Sequence, residues 1–193
     1  MDNTSTVFDA TMIWEHRKAP SSIDEITAGL DPVDEKLIRA VYQMVQAVYQ
    51  KLPQRRNGDD SFAHPTNVAM FLREAHAQAH VIAAGLLHDV LEDRSDFESE
   101  RTDMTPKDRD IALRLLRGQF AESLIASSTR AEFPRDVAER IVEIVWTLTR
   151  HKADLYYKSI SGIFTHPDLQ VRLGAALVKL ADRMHNIETI DNY

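Results

Sequence analysis

A chain of 193 residues with 44% hydrophobic content, only 6 Gly and 7 Pro is long enough for one well-cored domain, and its composition points to helices rather than strands. The formal charge of -7 argues against a broad nucleic-acid or anionic-membrane surface, while leaving room for a local basic pocket that binds a phosphorylated small molecule. The absence of cysteine excludes disulfides, thiolate nucleophiles and Cys-ligated zinc. With no secretory pattern and no apolar run near the ~18 residues of a spanning helix, a cytoplasmic protein is expected.

Periodicity predicts a succession of helices. Residues 1–30 are weakly periodic, with Val7, Phe8, Met12, Ile13 and Trp14 as packing candidates, and are read as an extension to a domain covering 31–193. Ser22 and Glu25 have capping-box spacing, and Asp31 followed by Pro32 marks a helix start. Leu37, Ala40, Val41, Met44, Val45, Val48, Tyr49 and Leu52 then form one apolar stripe. Arg55 to Ala63 breaks the period and reads as a loop. A helix is expected from His64-Pro65 to about Ala75, and another, apolar nearly all round and therefore central, from Gln78 to Leu91.

Arg94 to Asp103 reads as a charged loop, and Thr105 to Asp108 as the cap of a helix stopping near Gly118. Pro134 to Leu148 is amphipathic, His151 to about Phe164 is predicted helical, and Pro167 opens a last helix through Ile190. An all-α, single-domain bundle is the expected fold.

Ionisable residues inside apolar runs carry the chemical signal. His88 and Asp89 interrupt the stretch from Val81 to Leu91, and Glu92 and Asp93 follow at once. Burying such groups costs several kcal/mol, on the order of the known penalties for charges, unless something compensates. A divalent cation is the simplest compensation, and His64 upstream and Asp182 downstream complete a candidate shell of His64, His88, Asp89 and Asp182. Two imidazoles and two carboxylates suit Mn²⁺ or Fe²⁺ better than structural zinc. Helical spacing stacks His88 with Glu92 and Asp89 with Asp93. It also puts Asp182, Asn186 and Thr189 on one face, with Lys179 a turn earlier, so one helix face carries a ligand carboxylate and groups for an organic substrate.

Taken singly, a His-Asp pair is more often a satisfied polar pair than a ligand, and the Lys179 to Arg183 stretch could be an ordinary charged face. Three such segments in order, one inside a core helix, lower that reading. The other histidines lack this support. His76 and His80 read as exposed on a polar helix end, His166 as part of a helix start, and His185 as a structural hydrogen-bonding group.

Arg55-Arg56-Asn57-Gly58, His64-Pro65, the run Leu86 to Asp93 and the run Lys179 to Asn186 together resemble the HD-domain phosphohydrolases of the RelA/SpoT type, including the stand-alone small alarmone hydrolases. The likeness spans roughly residues 35–190. It implies an all-helical domain holding one Mn²⁺ through His64, His88, Asp89 and Asp182. It also implies removal of the 3′-pyrophosphate of guanosine tetra- or pentaphosphate, the nucleotides of the stringent response. Glu92 and Asp93 would then be the catalytic carboxylates, and Arg55, Arg56, Asn57, Lys179, Asn186 and Thr189 would face the nucleotide.

The chain departs from the family where Asp60-Ser61 stands in place of a Pro-Tyr pair and where Arg94 replaces a Thr. An HD phosphohydrolase acting on a nucleoside monophosphate or a deoxynucleoside triphosphate is therefore the alternative, and a non-catalytic nucleotide-sensing module is a third. Relatives also continue past the last motif for at least one helix. The length leaves no room for a synthetase domain, so nucleotide synthesis is not expected, and oligomeric state is left open.

Overall fold

Asp31 starts the first long helix by accepting from the amides of Val33 and Asp34 (2.9 and 3.0 Å), with Pro32 at the first helical position where no amide is needed. This belongs to a computed structural model that describes residues 19–53, 60–100, 104–150 and 156–189, all of whose regular structure is helical. The helices run α1 (Ile23–Thr27), α2 (Pro32–Tyr49), α3 (Ala63–Glu74), α4 (Ala79–Leu87) and α5 (Val90–Glu100). They continue with α6 (Pro106–Ala131), α7 (Arg135–Leu148), α8 (Tyr156–Thr165) and α9 (Leu169–Glu188).

Helix α4 is the centre of the bundle. Every residue of it is buried, and α2, α3, α7 and α9 all pack against it. Ile82, Leu86 and Leu87 are wholly enclosed, each worth roughly 1.5–3 kcal/mol of burial. Gly85 lets α3 come close, because a Cβ there would collide with Leu72, and Gly174 does the same between α9 and Ile144 of α7. These approaches bring α3 against the C-terminal end of α4, and α9 against α7 and the start of α4 at Val81.

The capping box of Ser22 with Glu25 is present, and so is that of Thr105 with Asp108. Residues 19–30 lie on the bundle: Ile26 is fully buried, the Ser21 hydroxyl donates to Asn67 Oδ1 (2.7 Å), and Asn67 Nδ2 donates to the Ala19 carbonyl (3.2 Å).

Several element boundaries differ from expectation. The helix predicted over Gln78 to Leu91 is two helices, with a turn at His88-Asp89. The Gly85 carbonyl lies 2.7 Å from His88 Nδ1, so the ring competes for the acceptor that a continuous helix would give to the backbone. The charged loop predicted from Arg94 is instead the body of α5, helical through Glu100. Nor does Gly118 stop α6. Leu113, Leu116, Phe120, Leu124 and Ser128 keep one buried stripe across it, and the helix ends thirteen residues later, where Glu132 adopts a left-handed conformation (φ 60°).

The last helix begins at Leu169 with Asp168, not Pro167, as its cap, accepting from Gln170 and Val171. His76 is exposed, but His80 is buried in α4 against expectation, because α7 and α9 cover that end of the helix. Residues 1–18, the Arg55-Gly58 stretch and 151–155 lie outside the described residues.

Candidate metal centre and adjoining cleft

His64 sits in the first turn of α3, His88 and Asp89 form the turn between α4 and α5, and Asp182 lies in the C-terminal half of α9. The three segments converge. His64 Nε2 lies 3.1 Å from His88 Nε2, and the two nitrogens are 3.4 and 3.2 Å from Asp89 Oδ2. Asp182 Oδ1 is 3.4 Å from His64 Nε2 and 3.9 Å from His88 Nε2. His64, His88 and Asp182 are 2–5% exposed, and the Asp89 side chain is 30% exposed, so the cluster opens to solvent on the Asp89 side.

Hydrogen placement decides what such a cluster can hold. His88 Nδ1 must donate to the Gly85 carbonyl, which leaves a lone pair on Nε2. His64 Nδ1 lies 2.9 Å from His185 Nδ1, and with the hydrogen on His64 its Nε2 offers a lone pair too. The two lone pairs and the Asp182 carboxylate then lie within 4.8 Å of one another, with Asp89 Oδ2 against both imidazoles. That arrangement can hold a cation, and the donor set fits a divalent one.

The same demand appears in the titration of the groups. Burial opposes charging His88, but Asp89 and Asp182 outweigh it and lift the imidazole to about 9. Burial likewise works against the charge of Asp89 and Asp182. Asp89 is nonetheless held well below the usual carboxylate range by His88 and His64, and Asp182 by His64, His88 and Lys179. These charges favour the protonated form of His88, whose proton a bound metal ion would displace.

A surrounding layer holds the cluster's geometry. Lys179 Nζ donates to Asp182 Oδ2 (2.9 Å) and Asn186 Nδ2 to Asp182 Oδ1 (2.5 Å), fixing how that carboxylate is presented. Lys179 and Asn186, expected to face a nucleotide, thus also hold Asp182. The Thr189 hydroxyl donates to the His185 carbonyl at 2.9 Å. His185 is a buried neighbour of His64, as its structural reading anticipated. Arg55, Arg56 and Asn57 fall outside the described residues.

Glu92 and Asp93 lie in different surroundings. Glu92 Oε1 accepts from the Arg150 amide at 2.5 Å, in a cleft that also contains His88 and Asp89. Burial first and the charge of Asp89 second push its carboxyl up to about 7, which suits a general base near neutral pH. Asp93 Oδ2 accepts from the Tyr49 hydroxyl at 2.6 Å and is tied to α2. Tyr49 reads from sequence as a core residue only, since a stripe position reports the ring and not the hydroxyl.

The cleft beside the cluster is lined further by Arg150, Tyr156, Ser159, Lys179 and Arg183 from the end of α7, α8 and α9. Of these only Lys179 is legible as a site residue. Tyr156 and Arg183 meet across two helices, and no local spacing signals that.

Among the described residues, one candidate metal cluster, carried by His on a helix, His-Asp in a turn and Asp on another helix, defines a class of protein. The family model of the HD domain matches residues 61–187, and the chain belongs to that family. Among curated proteins it is similar to a probable guanosine-3′,5′-bis(diphosphate) 3′-pyrophosphohydrolase of Synechocystis sp., with 30% identity over 138 residues. It is also similar to one of the same description from Mycoplasma pneumoniae, with 29% identity over 138 residues, 71% of this chain in each case. A GTP pyrophosphokinase of Myxococcus xanthus is 28% identical over 162 residues, 84% of the chain. The matched stretches amount to only 14–18% of those three proteins. No helix among the described residues is long and apolar enough to cross a membrane.

Proposed function

We propose that this chain is a metal-dependent phosphohydrolase that removes the 3′-pyrophosphate of guanosine tetra- or pentaphosphate, with Mn²⁺ held by His64, His88, Asp89 and Asp182. The observation that carries the reading is the convergence of those four donor atoms beside a carboxyl poised near 7. The similarity to proteins described as pyrophosphohydrolases of this nucleotide supports the substrate. Fe²⁺ satisfies the same donor set. The chain acts in the cytoplasm, in the stringent response, on a small nucleotide and without nucleic acid. Residues 31–193 form its HD unit, with 1–30 as an extension docked on it from Ala19 onward.

When bound, the cation supplies positive charge for the phosphoryl oxygens and makes water easier to deprotonate. Glu92 takes the proton from the attacking water at Oε2, since Oε1 is engaged by the Arg150 amide. The water oxygen bonds to the phosphorus that carries the ribose 3′-oxygen, and the bond from that phosphorus to the 3′-oxygen breaks. The 3′-oxygen gains a proton, giving GDP and pyrophosphate from the tetraphosphate. Asp93, anchored by Tyr49, orients the water, and Lys179 neutralises charge at the edge of the cleft. Arg55, Arg56, Asn57, Asn186 and Thr189 face the nucleoside.

The alternative reading, hydrolysis of another nucleotide, rests on the altered segment at Asp60-Ser61. Where relatives place an aromatic, Asp60 instead accepts from the Phe62 amide in the turn before α3 (2.9 Å), and Ser61 donates to the Pro53 carbonyl (2.8 Å). Incubating Mn²⁺-loaded protein with a nucleotide panel and separating the products distinguishes the two. GDP and pyrophosphate from guanosine tetraphosphate are expected. Turnover of a nucleoside monophosphate or deoxynucleoside triphosphate with guanosine tetraphosphate untouched would transfer the assignment to the alternative.

A further inference from the structure

The cleft next to the candidate metal cluster, about 150 Å³, carries three basic side chains beside the carboxylates Asp89 and Glu92, on a chain whose formal charge is -7. Arg150 enters from the end of α7, and Lys179 and Arg183 from successive turns of α9. Lys179 is already committed to Asp182. Arg150 makes no ion pair among the described residues, and the nearest carboxylate oxygen to Arg183 is Asp182 Oδ2, 4.0 Å from Nε. Two guanidinium groups thus line the cleft without a close carboxylate of their own among the described residues, and can turn their N–H groups to a multiply charged anion.

Tyr156 fixes one of them. Arg183 donates through Nη2 to the Tyr156 hydroxyl oxygen at 2.6 Å, and its guanidinium carbon lies 5.4 Å from the Tyr156 ring centre. With its oxygen accepting from Arg183, the phenol keeps its own hydrogen to donate. The pair therefore presents further guanidinium N–H groups and one O–H from adjoining helices, and every one is a donor. An array of donors without acceptors suits phosphate oxygens and does not suit a nucleobase edge.

We propose that Arg150, Tyr156 and Arg183 form a phosphate-binding arm that receives the terminal phosphate of a diphosphate group whose other phosphate lies at the metal cluster. The arm sets a preference for diphosphate over monophosphate esters. It rests on the phosphohydrolase reading of the neighbouring cluster and adds the residues that measure the length of the phosphate chain. Geometry connects the two sites. Asp182 offers Oδ1 to the cluster and Oδ2 toward Arg183, so one carboxylate separates metal ligand from arm.

The test is calorimetric titration of Mn²⁺-loaded protein with inorganic pyrophosphate and, separately, with orthophosphate, at one metal concentration so that chelation by the anion is common to all variants. Wild type is expected to prefer pyrophosphate. Arg183→Ala should weaken pyrophosphate binding about tenfold, the value of one charge-assisted hydrogen bond, and leave orthophosphate within about twofold. Tyr156→Phe, which keeps the ring and removes the hydroxyl, should lose a smaller part of the same preference, and Arg183→Lys should recover only some of it. Unchanged pyrophosphate binding in Arg183→Ala, or an equal loss for both anions, overturns the proposal. If Arg183→Ala loses helicity by circular dichroism, the conservative Tyr156→Phe decides, and an unaltered preference there overturns it. Because the titration needs no turnover, loss of the preference in the variants of a protein that leaves guanosine tetraphosphate intact sinks the substrate assignment and keeps the arm. Turnover without any preference does the reverse.

Discussion

Helices α4 and α5 follow one another across a two-residue turn, yet they answer to different demands. Every residue of α4 is buried and none is acidic, whereas α5 opens on Glu92 and Asp93, a carboxylate pair beside two more in Asp89 and Asp182. The first is built for stability. The second brings charge to the edge of the same core, where the imidazoles of His64 and His88 and the amine of Lys179 face it. The lesson is that the site lies on the seam between them: α4 fixes His88 through Gly85, and α5 supplies carboxyls whose protonation the burial has moved.

The largest effect should come from removing a group on the seam. Asp89→Asn or His88→Ala should reduce bound metal to background and abolish turnover, while circular dichroism of the metal-free protein changes little. Metal retained at the wild-type level would break the comparison, since α4 would then hold His88 for packing alone.

Next in size is Glu92→Gln. Turnover should fall roughly 10²–10⁴-fold, the range for general acid–base groups, with metal content unchanged. Stability should move the other way. The folded-state value of about 7 lies above the ordinary 4.5, so the folded protein binds more protons than the unfolded chain between them, and stability falls as pH rises through that window. In metal-free protein above pH 7, Glu92→Gln should therefore raise the melting temperature, by an amount worth at most about 3 kcal/mol. A fall in melting temperature would show that Glu92 is a structural ion.

Tyr49→Phe probes the link between the core helix α2 and the seam. Loss of the 2.6 Å bond to Asp93 should slow turnover about tenfold and cost about 1 kcal/mol of stability. Unchanged turnover with the stability loss intact would leave Asp93 without its orienting role.

The smallest effect belongs to α4 alone. Burial, then Arg140, lowers the pKa of His80, whose Nε2 has no hydrogen-bond partner among the described residues. The unfolded chain takes up a proton below about 6.5 that the folded protein resists, so stability is lost as pH falls through that value. His80→Gln should flatten this acid limb in a melting-temperature series and leave activity alone.

Much of this was legible in the sequence because periodicity and caps report local physics. Ser22, Asp31 and Thr105 cap as their spacing indicates, and the histidine and aspartate segments converge. What the sequence hid depends on contacts between distant helices. Gly118 looks like a stop, yet the buried stripe of α6 overrides it. The charges after Arg94 look like a loop, yet α6 packs on that segment and it is helical. His80 looks like a helix-end residue because its cover comes from elsewhere in the chain. Tyr156 and Arg183, far apart in sequence, become a pair only once α8 lies on α9.

The central claim is that His64, His88, Asp89 and Asp182 enclose one divalent cation. Anomalous diffraction from crystals of the protein grown with Mn²⁺, collected at the manganese edge, tests it most directly. The account predicts one strong peak between His64 Nε2, His88 Nε2, Asp89 Oδ2 and Asp182 Oδ1. A peak elsewhere, or none at that point with manganese in excess, would contradict it.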